Sequence, residues 1–173
     1  MTNITDSAKA TGTVYRLTDF GSSGQFPNAV KRILVATDLT RESERAIDFA
    51  LALAKRFCAH LTLLHVYHES YPLQYLRGTH ALEAMREERA HFLHALELAG
   101  SKAKERYSDC DIEFHEGEPW NEIVSTAKER KIDLIVISTH HYHWLERFIC
   151  GSDADEILRR AQCPTLVVHA DQE

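Results

Sequence analysis

Asp133-Leu134-Ile135-Val136-Ile137-Ser138, then Thr139-His140-His141-Tyr142-His143, then Gly151-Ser152, and then Cys163-Pro164-Thr165-Leu166-Val167-Val168: this stretch decides the fold. Its two ends are short runs of β-branched and aliphatic residues. They are strand-length and lack alternation, which reads as strands buried on both faces. Between them lie a polar loop and a helix from Asp153 to Arg160 opened by Gly151-Ser152. Strand, loop, helix and strand in this order form one unit of an α/β protein.

The same alternation runs upstream. Arg32 to Thr37 is an apolar run ending at Asp38 and reads as the first strand. Thr40 is placed to cap a helix from about Arg41 to Phe57, with Ala46, Ile47, Ala50, Leu51, Leu53 and Ala54 as its apolar stripe. Leu61 to Val66 is the second strand, and a loop with Tyr71, Pro72 and Gly78 follows it. A long helix is expected from Thr79 to Tyr107, with Gly100 as its weak point. Ile112 to His115 alternates as a third strand, and Pro119 suits the first turn of a helix reaching about Lys131. Leu134 to Ile137 and Thr165 to Val168 complete the set. Strands alternating with helices predict an open, Rossmann-type parallel sheet with helices on both faces.

Residues 1–28 are rich in Thr, Ser, Gly and Asp and are read as a flexible extension, although Val14, Tyr15, Leu17 and Phe20 could dock on the domain. Residues 29–173 are read as one domain. The chain of 173 residues is long enough for a core, and 44% apolar residues is ordinary for a globular protein. Its 20 Lys and Arg against 26 Asp and Glu give a net charge of −6 without a basic stripe, which argues against nucleic-acid binding. No apolar run spans a bilayer and no signal pattern opens the chain, so no membrane partner and a cytoplasmic location are expected. Cys58, Cys110, Cys150 and Cys163 form no C-x-x-C pair and are read as reduced thiols.

Several of these segments in register resemble the universal stress protein family. Ile33-Leu34-Val35-Ala36-Thr37-Asp38 is similar to that family's first strand and its acidic end, and Leu63-Leu64-His65-Val66 to its second. Gly117-Glu118-Pro119 resembles the entry to its third helix, and the 133–168 stretch its nucleotide loop and last strand. The resemblance implies the adenine-nucleotide alpha-hydrolase-like sheet of order 3-2-1-4-5. Strands 1 and 4 then part to opposite sides at a switch point marked by Asp38 and Ser138. It also implies a homodimer through the last strand, Thr165 to His169, and a role in stress response with an unidentified regulatory partner.

Many members of that family bind ATP through Gly-x-x-Gly, nine residues, then Gly-Ser or Gly-Thr. Glycines admit phosphates to the backbone, and N–H groups at the helix start point at them. In this chain Ser138 and His141 stand at the two leading glycine positions, while Gly151-Ser152 keep the spacing. If position 141 needs positive φ, a non-glycine residue there costs on the order of 1–2 kcal/mol. Asp153 would cap the helix itself and oppose an anion, or hold Mg²⁺ against the phosphates. The resemblance therefore implies an ATP or AMP switch in which Ala36, Thr37 and Asp38 meet the adenosine end and Val66 lines the adenine pocket. Ser138, Thr139, His141, Gly151, Ser152 and Asp153 would surround the phosphates and their metal. The alternative is a nucleotide-free dimeric scaffold in which Asp153 caps the helix and His141 fills the pocket.

No nucleophile–base–orienter set and no P-loop are present, so an enzyme is not expected, with slow ATP hydrolysis left open. His140-His141-x-His143 lacks the further histidine of a histidine triad, and neighbouring loop histidines point apart, so no metal site is assigned. His65 and His68, around the end of strand two, read either as a strand-end pair or as a rim of the nucleotide pocket.

Overall fold

The computed structural model describes residues 30–41, 43–68, 79–139 and 153–169. Five strands, β1 (Arg32–Ala36), β2 (His60–Tyr67), β3 (Cys110–Glu116), β4 (Leu134–Thr139) and β5 (Thr165–His169), form one parallel sheet of order β3-β2-β1-β4-β5. Four helices connect them: α1 (Glu44–Phe57), α2 (Thr79–Arg106), α3 (Pro119–Glu129) and α4 (Asp153–Arg160). Sheet order and layering match the expectation from the sequence.

The central strands are apolar on both faces because both faces are covered. Ile33, Val35, Leu61, Leu63, Leu134, Val136, Leu166 and Val168 pack on one side with Ala46, Ala50, Leu51 and Ala54 of α1 and Leu96 and Ala103 of α2. Leu34, Ala36, Leu64, Ile135, Ile137 and Val167 pack on the other with Ile123 and Ala127 of α3 and Ala154 and Ile157 of α4. Asp133 fixes the lower edge of the β1–β4 ladder. Its carboxylate accepts the Lys31 and Arg32 amides at 2.8 and 2.9 Å, and its own amide donates to the Arg32 carbonyl.

Three details depart from the sequence reading. Helix α1 begins at Glu44 with Ser43 as its N-cap residue, not at Arg41 behind Thr40. Thr40 still serves the turn ahead of the helix: its hydroxyl donates to the Asp38 carboxylate at 2.6 Å and accepts the Ser43 amide at 3.4 Å. Gly100 is no weak point, for α2 runs through it unbroken and a Cβ there would lie 2.3 Å from Ile112 Cγ2 of β3. Strands β2 and β3 extend past the apolar runs by His60, Tyr67, Cys110, Asp111 and Glu116. On β3 the polar residues Asp111 and Glu116 are tolerated because β3 is a sheet edge.

At the lower end of that edge, His60 Nδ1 lies 2.7 Å from Asp109 and Nε2 lies 3.2 Å from Asp111. Burial alone would lower the His60 pKa, but the Asp109 hydrogen bond and the charges of Asp111 and Asp109 outweigh it and raise it above 6.5. A raised folded-state pKa means that the ion pair supports the fold fully below pH 6.5 and stops doing so as pH climbs through the raised value. The destabilisation caused by His60→Gln is therefore expected to be larger at about pH 5.5 than at about pH 8.5, read from urea midpoints of the two proteins. Equal penalties at both pH values would refute the ion-pair account.

Candidate functional site

Strand β1 is flanked by β2 and β4. The chain leaves β1 toward α1 on one face, whereas the helix after β4, α4, packs on the other. In open α/β sheets, ligands bind beyond the C-terminal strand ends at such a divergence. Ala36, Thr37, Asp38, Val66 and Ser138 all stand at those ends. Ala36 pairs with Leu64 on one side and Ile137 on the other, and Ser138 is buried one residue beyond Ile137. Val66 is half-buried on the α3–α4 side of β2. Thr139 ends β4 beside His169 of β5, and Asp153 opens α4. His141, Gly151 and Ser152 lie outside the described residues, as do His140 and His143.

Thr37 to Ser43 form a tightly bonded corner. The Leu39 amide donates to Thr37 Oγ1 at 3.0 Å, and the Thr37 and Ser43 hydroxyls meet at 2.8 Å. The Ser43 hydroxyl donates to the Thr40 carbonyl at 2.9 Å, so the Thr37 hydroxyl must donate to Ser43 Oγ. One Asp38 carboxylate oxygen accepts both the Thr40 amide at 3.0 Å and the Thr40 hydroxyl. That carboxylate is 9% exposed and held in one orientation. Leu39 adopts φ +64°, a left-handed conformation that costs a bulky residue on the order of 1–3 kcal/mol. The surrounding bonds sustain this strain beside a carboxylate at the switch point.

The corner has two further neighbours. Below it, a groove of about 430 Å³ between α1 and α2 has Thr37, Thr40 and Ser43 at its polar end and Leu39, Ile47, Leu51 and Leu98 along its apolar wall. Behind it, His65 is 5% exposed and its Nδ1 lies 2.9 Å from the Thr37 carbonyl. His65 is therefore not a rim residue; it is packed beneath the corner. Only His68 stands at the surface, with Nδ1 3.2 Å from the Gly117 carbonyl. The sequence held a signal for this difference: strand alternation puts position 65 on the same face as buried Leu61 and Leu63.

An open parallel sheet of this order, covered by helices on both faces, is the adenine-nucleotide alpha-hydrolase-like fold. The chain belongs to the universal stress protein family, whose model matches residues 29–169. It is similar to universal stress protein YxiE of Bacillus subtilis, 33% identical over 144 residues covering 79% of this chain and 97% of that protein. It is also similar to universal stress protein MJ0531 of Methanocaldococcus jannaschii, 36% identical over 145 residues covering 82% of this chain and 83% of that protein. Among solved structures, a universal stress protein in complex with cAMP superposes with a TM-score of 0.61 at 24% identity, covering 82% of this chain and 98% of that one. Among the described residues, no helix is long and apolar enough to cross a membrane.

Proposed function

We propose that this universal stress protein binds an adenine nucleotide, ATP or AMP, at the β1–β4 switch point and uses it as a regulatory switch in the stress response. The observation that carries this reading is the Asp38 carboxylate, aligned by Thr40 at the end of β1. A carboxylate fixed there is suited to accept hydrogen bonds from the sugar or base of a nucleoside. Val66 offers apolar contact for the adenine, and the small side chain of Ser138 at the end of β4 suits a neighbouring phosphate. The related structure that holds cAMP favours the same ligand class. Thr139, His141, Gly151 and Ser152 would complete the phosphate side, and Asp153 would share Mg²⁺ with it.

The output is binding-linked, not catalytic, and is read in the cytoplasm by a partner protein or a second copy. Strand β5 is a sheet edge, and pairing of Thr165–His169 between two copies would cover it.

Calorimetric titration with ATP plus Mg²⁺, AMP and cAMP at about pH 7 tests the proposal. Binding in the micromolar range is expected. Asp38→Ala should weaken it at least about tenfold, which corresponds to roughly 1.4 kcal/mol. Unchanged affinity in Asp38→Ala would remove Asp38 from the site. An absence of heat with all three ligands, in protein that carries no nucleotide from purification, would replace the switch with a scaffold whose pocket is closed.

A further inference from the structure

The Thr37 carbonyl leaves the sheet where β1 ends. The Thr37 amide still bonds the Leu64 carbonyl at 2.9 Å, but its carbonyl is met by a side chain, His65 Nδ1 at 2.9 Å. A carbonyl only accepts, so Nδ1 carries the proton. The neutral ring is then the Nδ1–H tautomer, and its other nitrogen is a bare lone pair. Among the described residues, nothing hydrogen-bonds the buried His65 Nε2. The ring is stacked on Phe92 of α2 with centroids 5.1 Å apart and tilted against Phe114 of β3 at 5.7 Å. An apolar side chain would fill this space without stranding an acceptor, so packing alone does not account for an imidazole here.

We infer that His65 is the positioning residue of the switch-point corner: its Nδ1–H holds the Thr37–Asp38 peptide and so aims Asp38, and a second proton on the ring releases that hold. The inference concerns the same corner as the nucleotide proposal and rests on it only for the ligand's identity. The peptide plane that His65 holds runs directly into Asp38, whose carboxylate Thr40 then orients. Protonation would place an N–H on Nε2, facing no acceptor and wedged between two phenyl rings. The ring would have to reach water, leaving the Thr37 carbonyl behind.

Charged and titratable groups approach from each neighbouring element. Asp38 lies on the corner itself, and its charge favours protonation. Helix α2 brings Glu88, bonded to the Tyr67 hydroxyl at 2.8 Å, and Arg89, which lies over the Phe114 ring and pairs with Glu116. His91 of α2 meets Phe92 edge-on. Beside Phe114 on β3 stand Glu113 and His115, bonded to each other at 3.2 Å, and α1 begins with Glu44. None of them bonds Nε2. Burial accordingly dominates and lowers the His65 pKa below 6.5, against the Thr37 bond and the Asp38 charge. With a depressed folded value, the contribution of neutral His65 is complete above pH 6.5 and is lost as pH falls below it.

The test compares wild type with His65→Asn, His65→Gln and His65→Leu. The Asn amide nitrogen occupies nearly the place of Nδ1 and restores the donor; Gln displaces it toward Nε2, and Leu has none. In free protein, ¹⁵N spectra of the imidazole should show the Nδ1–H tautomer titrating below pH 6.5. Amide exchange at Leu39 and Thr40, about pH 7, should quicken at least about tenfold in His65→Leu and His65→Gln and stay within about threefold in His65→Asn. Between about pH 6.5 and pH 5, below the ordinary histidine range and above that of carboxylates, wild type should lose protection and His65→Asn should not. The other histidines are common to wild type and every variant, so the wild-type minus Asn difference belongs to His65. The ATP–Mg²⁺ affinity should follow the same order as the exchange rates. An Nε2–H tautomer, or equal exchange in Leu and Asn variants, would overturn the inference. If wild type binds no nucleotide at about pH 7, the nucleotide reading fails alone, and the exchange and tautomer measurements still decide the role of His65.

Discussion

Ile135→Ala is expected to lower the free energy of unfolding by about 3–4 kcal/mol, measured by urea denaturation at constant m. Ile135, the second residue of β4, is wholly inaccessible to solvent. Its backbone is paired to Leu34 of β1 on one side and Thr165 of β5 on the other. Its side chain belongs to the core that also holds Ile123 of α3, Ile157 of α4 and Val167 of β5. Alanine removes three carbon atoms, and the lost transfer free energy is one part of the cost. The other is the cavity, which a strand held by ladders on both sides cannot close by moving. Total stability for a domain of this size is about 5–15 kcal/mol, so the variant should sit much nearer its transition. Leu98→Ala is the control: Leu98 is 52% exposed, and its loss should change stability by only about 0.5 kcal/mol. A penalty below about 1 kcal/mol for Ile135→Ala would mean that this side of the sheet is not packed as described.

The two-sided burial that makes Ile135 costly is also why β4 and β5 were legible as strands. Runs such as Leu134 to Ile137 leave no polar face, and only a sheet covered on both sides accepts them. Strand order is a different matter. Alternation of strand and helix predicts a parallel sheet, but 3-2-1-4-5 followed from the resemblance of several segments in register. Local misreadings share one cause, which is a partner distant in sequence or a competing short-range bond. Thr40 has a good capping side chain, yet its hydroxyl, bonded to Asp38 and to the Ser43 amide, closes a turn before the helix, and the helix itself starts only after Ser43. His65 reads from the sequence either as one of a strand-end pair or as a pocket rim; its fixed place comes from the Thr37 carbonyl and from Phe92, which lie far along the chain. Of the candidate site, the placement at neighbouring strand ends was legible, since Ala36, Thr37, Asp38, Val66 and Ser138 follow from β1, β2 and β4 being neighbours. The bonded corner was not, because the Thr37–Ser43 contact depends on turn geometry at Leu39 that no periodicity encodes.

Gly100 shows the same principle in a form that can be reversed by design. Helix propensity alone predicts that Gly100→Ala stabilises α2 by about 1 kcal/mol. The packing predicts the opposite sign, because the new Cβ would fall 2.3 Å from Ile112 Cγ2 on the neighbouring edge strand. Ile112 is β-branched, so its Cγ2 is fixed by one stiff torsion and cannot swing aside as a longer side chain would. Either the helix lifts from β3 or Ile112 leaves its rotamer, and overpacking of this kind costs about 1–3 kcal/mol. The expected net effect of Gly100→Ala is a loss of about 1–2 kcal/mol. In an Ile112→Ala background the obstructing carbon is gone, and the same substitution should become neutral or stabilise by up to about 1 kcal/mol. The coupling between the two positions in a double-mutant cycle should then be about 2 kcal/mol, well beyond the error of additivity for independent sites. Additive effects would show that α2 and β3 do not meet at this glycine. A sign reversal would establish that Gly100 is present for the close approach of helix to strand and not as a break in the helix.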